Sequence, residues 1–413
     1  MKVFGFDVSK GHSTVCLMDS GTGKMLKRPF DVRHTLDELD KFYELTKVWD
    51  DDCCVVMEAT GIYHLPVLSY LVSRKIKVAA VNPFQIKKFR SQNLRAPKTD
   101  KIDSREIAKY GIANLNKIMY YRPQREEYQE LRFLLAQYDH LLKIHVSARN
   151  NIVKLADLVM PGIDKLITPG ADSTGKEKLA DFLMRFWHAE CIRKMSCKRF
   201  YEAYATWAKR KGYHPNLDKA AKIYTMVENS IPSVKDSPSV CIAVKQAVET
   251  LNQANKALMT ILTQMGNLAK TLPEYTVVRS MGGVGDKLAV QLIAAIGDCC
   301  RFHSANALTA YAGVDVPPYE SSEYKSTHQK ITKRGSPQLR KICYLVMQSL
   351  ISHVEPKDNP VYNFILRKEK EGKPKKVAKV AGINKFLKIY YIRVNKVYAT
   401  RGKSDSKILL ESA

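Results

Sequence analysis

KVFGFDVSKGHSTVCLMD, residues 2–19, decides the fold of the N-terminal part of the chain. Residues 2–9 are rich in Val and Phe and read as a strand. Lys10-Gly11 supplies a turn, and STVCLMD returns as a second strand, so the pair is a β-hairpin. Side chains alternate across a strand, which puts Phe4, Phe6 and Val8 on one face and Val3, Gly5 and Asp7 on the other. Asp7 is the anomaly. Aspartate is depleted in strands, and an unpaired charge is costly to bury. Gly5 beside it leaves room for something to approach.

The residues downstream extend this hairpin into a mixed α/β domain. KRPFDV (27–32) suggests a third strand. TLDELDKFYELTKVW (35–49) has helical spacing with Thr35 as its cap. DDCCVVMEATG (51–61) is a buried strand ending at a glycine, LPVLSYLVSRKI a helix, and KVAAVNP a further strand. Glu58 closes its apolar strand as Asp7 interrupts the first. RAPKTDKIDSREIAKY (95–110) then opens a helix with Asp100 and Asp103 one turn apart. Two readings of that pair stand. Asp100 caps the helix, with Asp103 completing a capping-box-like arrangement at its positive end. Alternatively both carboxylates join Asp7 and Glu58 around a metal.

The charge of the chain bears on that choice. The 413 residues carry 67 Lys and Arg against 41 Asp and Glu, a net charge of +26. Such an excess implies a polyanionic partner, and nucleic acid is the default. Four carboxylates together would repel that partner. One or two Mg²⁺ (or Mn²⁺) ions would reverse the local charge and clamp the attacking and leaving oxygens of a phosphodiester roughly 4 Å apart. No run approaches the roughly 18 apolar residues of a membrane span. The N-terminus shows no apolar signal segment. Nine cysteines, none in paired C-x-x-C spacing, read as reduced thiols rather than a zinc site. The expected location is the cytoplasm of a prokaryote, at the nucleoid.

Beyond residue 115 the pattern changes. Residues 125–158 are apolar at near-heptad spacing and residues 237–270 return as a long amphipathic helix, so the two are expected to pair antiparallel as a coiled-coil arm. The region 116–270 then holds a helical, aromatic insertion at about 160–235, whose aromatics suit a core. Residues 271–400 form a further, mainly α domain, and 401–413 a tail. RKEKEGKPKKVAK (367–379) is a charge run, suited to a solvated loop or to phosphate contact.

"GFDVSK", "VVMEATGIYH" and "KTDKIDSREIA", in that order, resemble the RuvC-like (RNase H-like) DEDD domain of a family of insertion-sequence transposases, the bridge-RNA-guided serine recombinases. "SMGGVGDKLAVQLIAAIGD" resembles that family's helix-hairpin-helix. "YAGVDVPPYESSEYKSTHQKITKRGSPQLRK" resembles the segment with its catalytic serine. The resemblance spans about two-thirds of the chain and leaves 160–235 unmatched. It implies metal binding by Asp7, Glu58, Asp100 and Asp103, and a nucleophilic serine at Ser321, with Ser322 the alternate. The family pattern has glycine where Ser322 stands. It also implies donor and target DNA as substrates, a guide RNA from the same element, and a dimer or tetramer held through the coiled-coil region.

Phosphate contacts are expected from Lys87, Lys88, Arg90, Arg95 and Lys98 near the acidic cluster. Others are expected from Lys333, Arg334, Arg340 and Lys341, and from the backbone of the glycine turn at Gly282, Gly283 and Gly285. Each of these also has a plain structural reading, as a solvated face or an inter-helix turn. His64, after TGIY, has two readings, a support for the site and, the better of the two, a packed histidine. Three other functions compete: a RuvC-like hydrolytic nuclease or Holliday-junction resolvase with no use for Ser321, an actin-like ATPase suggested by the first hairpin, and a non-catalytic nucleic-acid binder.

Overall fold

The computed structural model describes the chain except residues 50–51, 60, 92–98, 171–174, 317–319, 322–323, 326–329 and 412–413, with backbone alone for 320–321, 324–325 and 401–411. The chain divides into two compact units, Met1–Pro123 and Gln124–Ala413.

The first unit is built on the expected hairpin. β1 (Lys2–Ser9) and β2 (His12–Asp19) pair antiparallel, with Gly11 taking the positive φ that their two-residue turn needs. β3 (Met25–Arg33) joins β2. β4 (Cys53–Glu58) and β5 (Lys77–Val81) run parallel to β1, giving the order β3-β2-β1-β4-β5. Parallel neighbours need crossovers, and helices α1 (Leu36–Lys47) and α2 (His64–Ser73) supply them. Both pack on the Phe4, Phe6 and Val8 face, through Leu39, Phe42, Val67 and Leu71. The Phe4 and Phe6 rings meet Phe42 edge-on. The other face carries Val3, Cys54, Val56 and Ala79. It is covered by α3 (Pro83–Arg90) and α4 (Asp100–Ala113) through Ile86 and Ile107. The alternation read from the sequence holds, and the N-terminal unit is the expected α/β domain.

Two glycines bring α4 onto the sheet. A Cβ on Gly5 would stand 2.2 Å from the Ser104 carbonyl oxygen and 2.4 Å from the Ala108 nitrogen. A Cβ on Gly111 would stand 2.8 Å from Val56 Cγ2 and 2.9 Å from Val3 Cγ1. Ser104, Ala108 and Gly111 recur at i, i+4 and i+7, one stripe of the helix. The space beside Asp7 is thus filled by helix backbone. Gly5→Ala is expected to cost about 3 kcal/mol, the upper end for overpacking, because backbone atoms rather than a flexible side chain must yield. Thermal unfolding of the full chain checks this, and an unchanged melting temperature would show that α4 is not held at Gly5.

The second unit is mostly helical. α5 (Glu126–Val159) is followed by five shorter helices: α6 (Ile163–Leu166), α7 (Lys178–Arg185), α8 (Glu190–Arg193), α9 (Cys197–Lys211) and α10 (Leu217–Asn229). α11 (Pro238–Lys270) then returns alongside α5. The start of α5, at Tyr128 and Leu131, shares a core with the end of α11 at Met265 and Ala269. The end of α5, at Ile152 and Ala156, shares another with the start of α11 at Val244 and Val248. The long helices are therefore antiparallel, as their spacing predicts. The residues between them build the core at one end of the pair. Phe182, Phe186, Phe200, Tyr204 and Trp207 are buried there in mutual ring contacts, so these aromatics are packing groups. Beside them Glu177, 3% exposed, holds Arg149 at 2.6 Å.

The rest of the unit continues from α11. α12 (Tyr275–Arg279), α13 (Asp286–Ile296), α14 (Ala305–Ala312), α15 (Pro337–His353), α16 (Pro360–Lys370) and α17 (Lys375–Glu411) follow, with a two-strand ribbon of β6 (Glu320–Ser321) and β7 (Tyr324–Lys325). Buried Glu274 accepts hydrogen bonds from Tyr128 and Tyr398, both at 2.6 Å, tying α5 to α17. The charge run at 367–379 is helix, turn and helix rather than a loop. Gly372, at φ +82°, ends α16, and Pro374 precedes α17. None of the nine cysteines forms a disulfide. No helix among the described residues is long and apolar enough to cross a membrane.

Candidate active site

Three elements of the first unit bring the four acids together. Asp7 lies late in β1, opposite Thr14 of β2. The β1–β4 register pairs Phe6 with Met57, so Asp7 and Glu58 each follow directly on the last paired residue of adjacent parallel strands. α4 starts at Asp100. Its cap is Thr99, in extended conformation, whose hydroxyl accepts the Ile102 N–H at 3.3 Å. This differs from the capping expected of Asp100. Threonine one residue earlier does that work, so both carboxylates are released from it. Asp100 is exposed and Asp103 is buried at 8% exposure.

The acids act on one another. Burial and then the charges of Asp103, Asp100 and Glu58 push the Asp7 carboxyl up to about 6, while Arg90 opposes them. Like charges packed this closely need a compensating cation. Arg90, at the end of α3, supplies part of it, with Nη2 2.6 Å from Asp103 Oδ1. Its Nε is buried without a hydrogen-bond partner among the described residues. Arg90, expected to contact phosphate, faces a carboxylate in this structure. Glu106, one turn past Asp103 and buried, is a further acid that the sequence reading passed over; Lys109 pairs with it at 2.8 Å.

The donor set fits a hard divalent cation. All four groups are carboxylates, the oxygen ligands that Mg²⁺ and Mn²⁺ prefer, and their mutual repulsion is the charge such an ion offsets. Among the described residues no three His, Cys, Asp or Glu side chains already stand in liganding geometry.

The other expected site residues fall as follows. Lys87 and Lys88 are exposed in the last turn of α3. Arg95, Lys98 and Ser322 lie outside the described residues. His64 is buried at the start of α2. Ser321 closes β6 and pairs with Tyr324 of β7. The ribbon's base is laced: Lys333 N–H reaches the Gly313 carbonyl at 3.1 Å, Ser336 N–H that of Tyr311 at 2.6 Å, and Thr332 N–H that of Asp315 at 3.0 Å. Gly335 makes this possible, since a Cβ there would stand 2.1 Å from the Tyr311 oxygen. Lys333 and Arg334 are exposed on this stem. Arg340 donates to the Ala312 carbonyl at 2.9 Å, and Lys341 lies 3.5 Å from Asp139. In the α12–α13 turn, a Cβ on Gly283 would strike the Leu350 backbone at 2.8 Å, so that glycine serves close helix packing. Gly285, at the start of α13, faces open space.

Residues 4–161 match the model of the IS110 DEDD transposase domain, and residues 275–363 that of the transposase IS116/IS110/IS902 family. The two span more than half of the chain, in the order and at the places where the motifs lie. The chain belongs to the IS110 family of transposases. It is thus an enzyme of a DNA-cutting class. The transposase for insertion sequence element IS1111A of Coxiella burnetii is 23% identical over 86% of this chain and 80% of its own length. The pilin gene-inverting protein of Moraxella bovis is 25% identical over 84% and 82%. An IS110 protein of Streptomyces coelicolor is 22% identical over about half of each chain. Thermus thermophilus RuvC in complex with a Holliday junction substrate is 14% identical, with a TM-score of 0.22 over 29% of this chain and 99% of its own. The acidic cluster lies inside the IS110 DEDD match and Ser321 inside the second.

Proposed function

We propose that this transposase cuts and rejoins the DNA of its insertion element, with Asp7, Glu58, Asp100 and Asp103 holding one or two Mg²⁺ or Mn²⁺ ions and Ser321 as nucleophile. The observation that carries the metal reading is the convergence of β1, β4 and α4 on Asp7, whose carboxyl is raised by burial and then by the other three acids. A divalent ion bound there would polarise a phosphate oxygen and offset its charge. The chain's own part is to hold four oxygen donors on a rigid sheet and helix. Arg90 balances Asp103 in the absence of metal.

The serine step conserves bond energy. Ser321 Oγ forms a bond to phosphorus, one bridging P–O bond breaks, and the hydroxyl proton leaves to a base. A DNA hydroxyl later attacks the serine–phosphate ester and restores the phosphodiester, with no ATP consumed. The net charge of +26 suits an enzyme that holds several nucleic-acid segments at once. We include among them a guide RNA encoded by the element, whose base pairing reads donor and target while the protein holds the duplexes by backbone and shape. The paired helices α5 and α11 are the surface we assign to self-association. A hydrolytic nuclease would use the acids alone and leave Ser321 idle.

Thermal unfolding with and without Mg²⁺ tests the metal site. The folded Asp7 carboxyl titrates near 6, above its ordinary 3.8, so this group favours the fold at low pH and that contribution is lost as pH rises through 6. Metal binding needs the ionised acid. Saturating Mg²⁺, at about 100 times its Kd, is therefore expected to stabilise by about 2.7 kcal/mol at pH 7.5 and markedly less at pH 5. An equal shift at both pH values would remove the acids from the metal site.

A further inference from the structure

We propose that the cleft between α16, α17 and the stem of the Ser321 ribbon is a binding groove for single-stranded DNA, and that it leads the strand to the serine. The inference rests on the serine reading above and names the surface that would serve it.

The cleft has a volume of about 1260 Å³. That exceeds the roughly 300–1,000 Å³ of small-molecule sites, which suits a polymer. Lys330, Arg367, Lys368, Lys373, Lys385 and Lys388 line it, and Glu371 is the one acid among the lining residues. Glu371 is itself engaged, 2.6 Å from Lys368 and 3.7 Å from Arg367. Phe364 organises the cations: Arg367, Lys368 and Lys385 stand 5.1, 5.5 and 5.0 Å from its ring centre. Ring and cation attract, so three positive charges that would repel one another are held as a fixed comb.

Apart from Asn384 the remaining lining is uncharged and largely apolar, with Val316, Ile331, Pro374 and Val377 among it. A duplex keeps its base faces stacked inside and presents mainly sugar and phosphate with base edges in the grooves, so it makes little use of such a floor. A single strand offers phosphates to the cations and base or sugar faces to the apolar surface, the pairing found in grooves for single strands. The location is equally specific. Val316 and Lys330 both line the cleft, and the ribbon with Ser321 leaves and re-enters between them. Ser321 lies five residues past Val316, within about 17 Å by chain length. The charge run of residues 367–379 thereby acquires a role, since its helix–turn–helix forms one wall.

The test is fluorescence anisotropy of a labelled 20-nucleotide oligothymidylate with the full chain, in EDTA, across a salt series. Lys373 and Lys388 are exposed, so Lys373→Gln/Lys388→Gln leaves packing intact, which an unchanged melting temperature verifies. Each lost phosphate contact removes about 0.7 from the slope of log K against log salt, so the pair is expected to weaken binding about 25-fold at 0.1 M salt. A control pair of exposed lysines elsewhere, Lys198→Gln/Lys209→Gln, is expected to change binding less than about twofold. Equal losses in both doubles, no loss in the groove double, or a loss confined to RNA or duplex probes would overturn the proposal. Because the assay holds no metal and reads no chemistry, its failure leaves the catalytic reading standing. Conversely, cleavage that survives loss of the acids or of Ser321 would end that reading without touching the groove.

Discussion

Asp7→Asn is expected to lower DNA cleavage by about 10³-fold or more while making the metal-free protein more heat-stable at pH 7. The catalytic loss follows from removing one of four charged donors from a metal site, where metal stabilisation of charge is worth several kcal/mol and each 1.36 kcal/mol is tenfold in rate. The gain in stability follows from the raised carboxyl. Above pH 6 the ionised Asp7 is held buried and against the charges of Asp103, Asp100 and Glu58, and asparagine removes the buried charge and that repulsion. Asp103→Asn makes the contrast. It should abolish cleavage equally but lower stability by about 1–3 kcal/mol, because it takes the charge partner from the half-buried Arg90 guanidinium at 2.6 Å. Cleavage on element DNA and thermal melts of the two variants check both halves. If the two shift stability in the same direction, the assignment of Arg90 to Asp103 is wrong.

Ser321→Ala is expected to remove covalent protein–DNA adducts and element junctions to below about 10⁻³ of wild type, with DNA binding kept, since no other hydroxyl takes over a positioned nucleophile without loss. Ser322→Ala should retain junctions. The assay is expression of the protein beside its native flanking DNA, scoring excised and inserted junctions. Persistence of junctions in Ser321→Ala would move the nucleophile to Ser322 or leave strand cutting to the acids alone. The same assay with and without the element's RNA reads the guide: loss of site-specific junctions on its removal supports guidance, and unchanged junctions would dismiss it.

Much of the first unit was legible because its signals are local. Alternation in KVFGFDVS put Phe4, Phe6 and Val8 on one face and Asp7 on the other, and the structure does the same. The heptad-like spacing of the first long helix and the amphipathic pattern of the second suggest an antiparallel pair with the aromatics between them as core, and the structure has both. What failed to show depends on tertiary contact. Gly5 looked like space for a ligand, yet the backbone of α4 fills it. Asp100 looked like a cap, yet Thr99 performs it one residue earlier. Arg90 and Asp103 are thirteen residues apart on separate helices, and nothing in the residues between them announces the pair. The Ser321 ribbon was hidden for another reason. ESSEYK lacks apolar alternation, so its two short strands rest on the laced stem at Gly313 and Gly335 rather than on side-chain pattern.

The central claim is that the four carboxylates hold a divalent metal. The most direct measurement is anomalous X-ray diffraction from crystals of the protein grown with Mn²⁺. The account predicts one or two anomalous peaks within about 2.0–2.4 Å of oxygens of Asp7, Glu58, Asp100 and Asp103. A saturated crystal with no peak at these residues, or with the metal bound elsewhere, would contradict it.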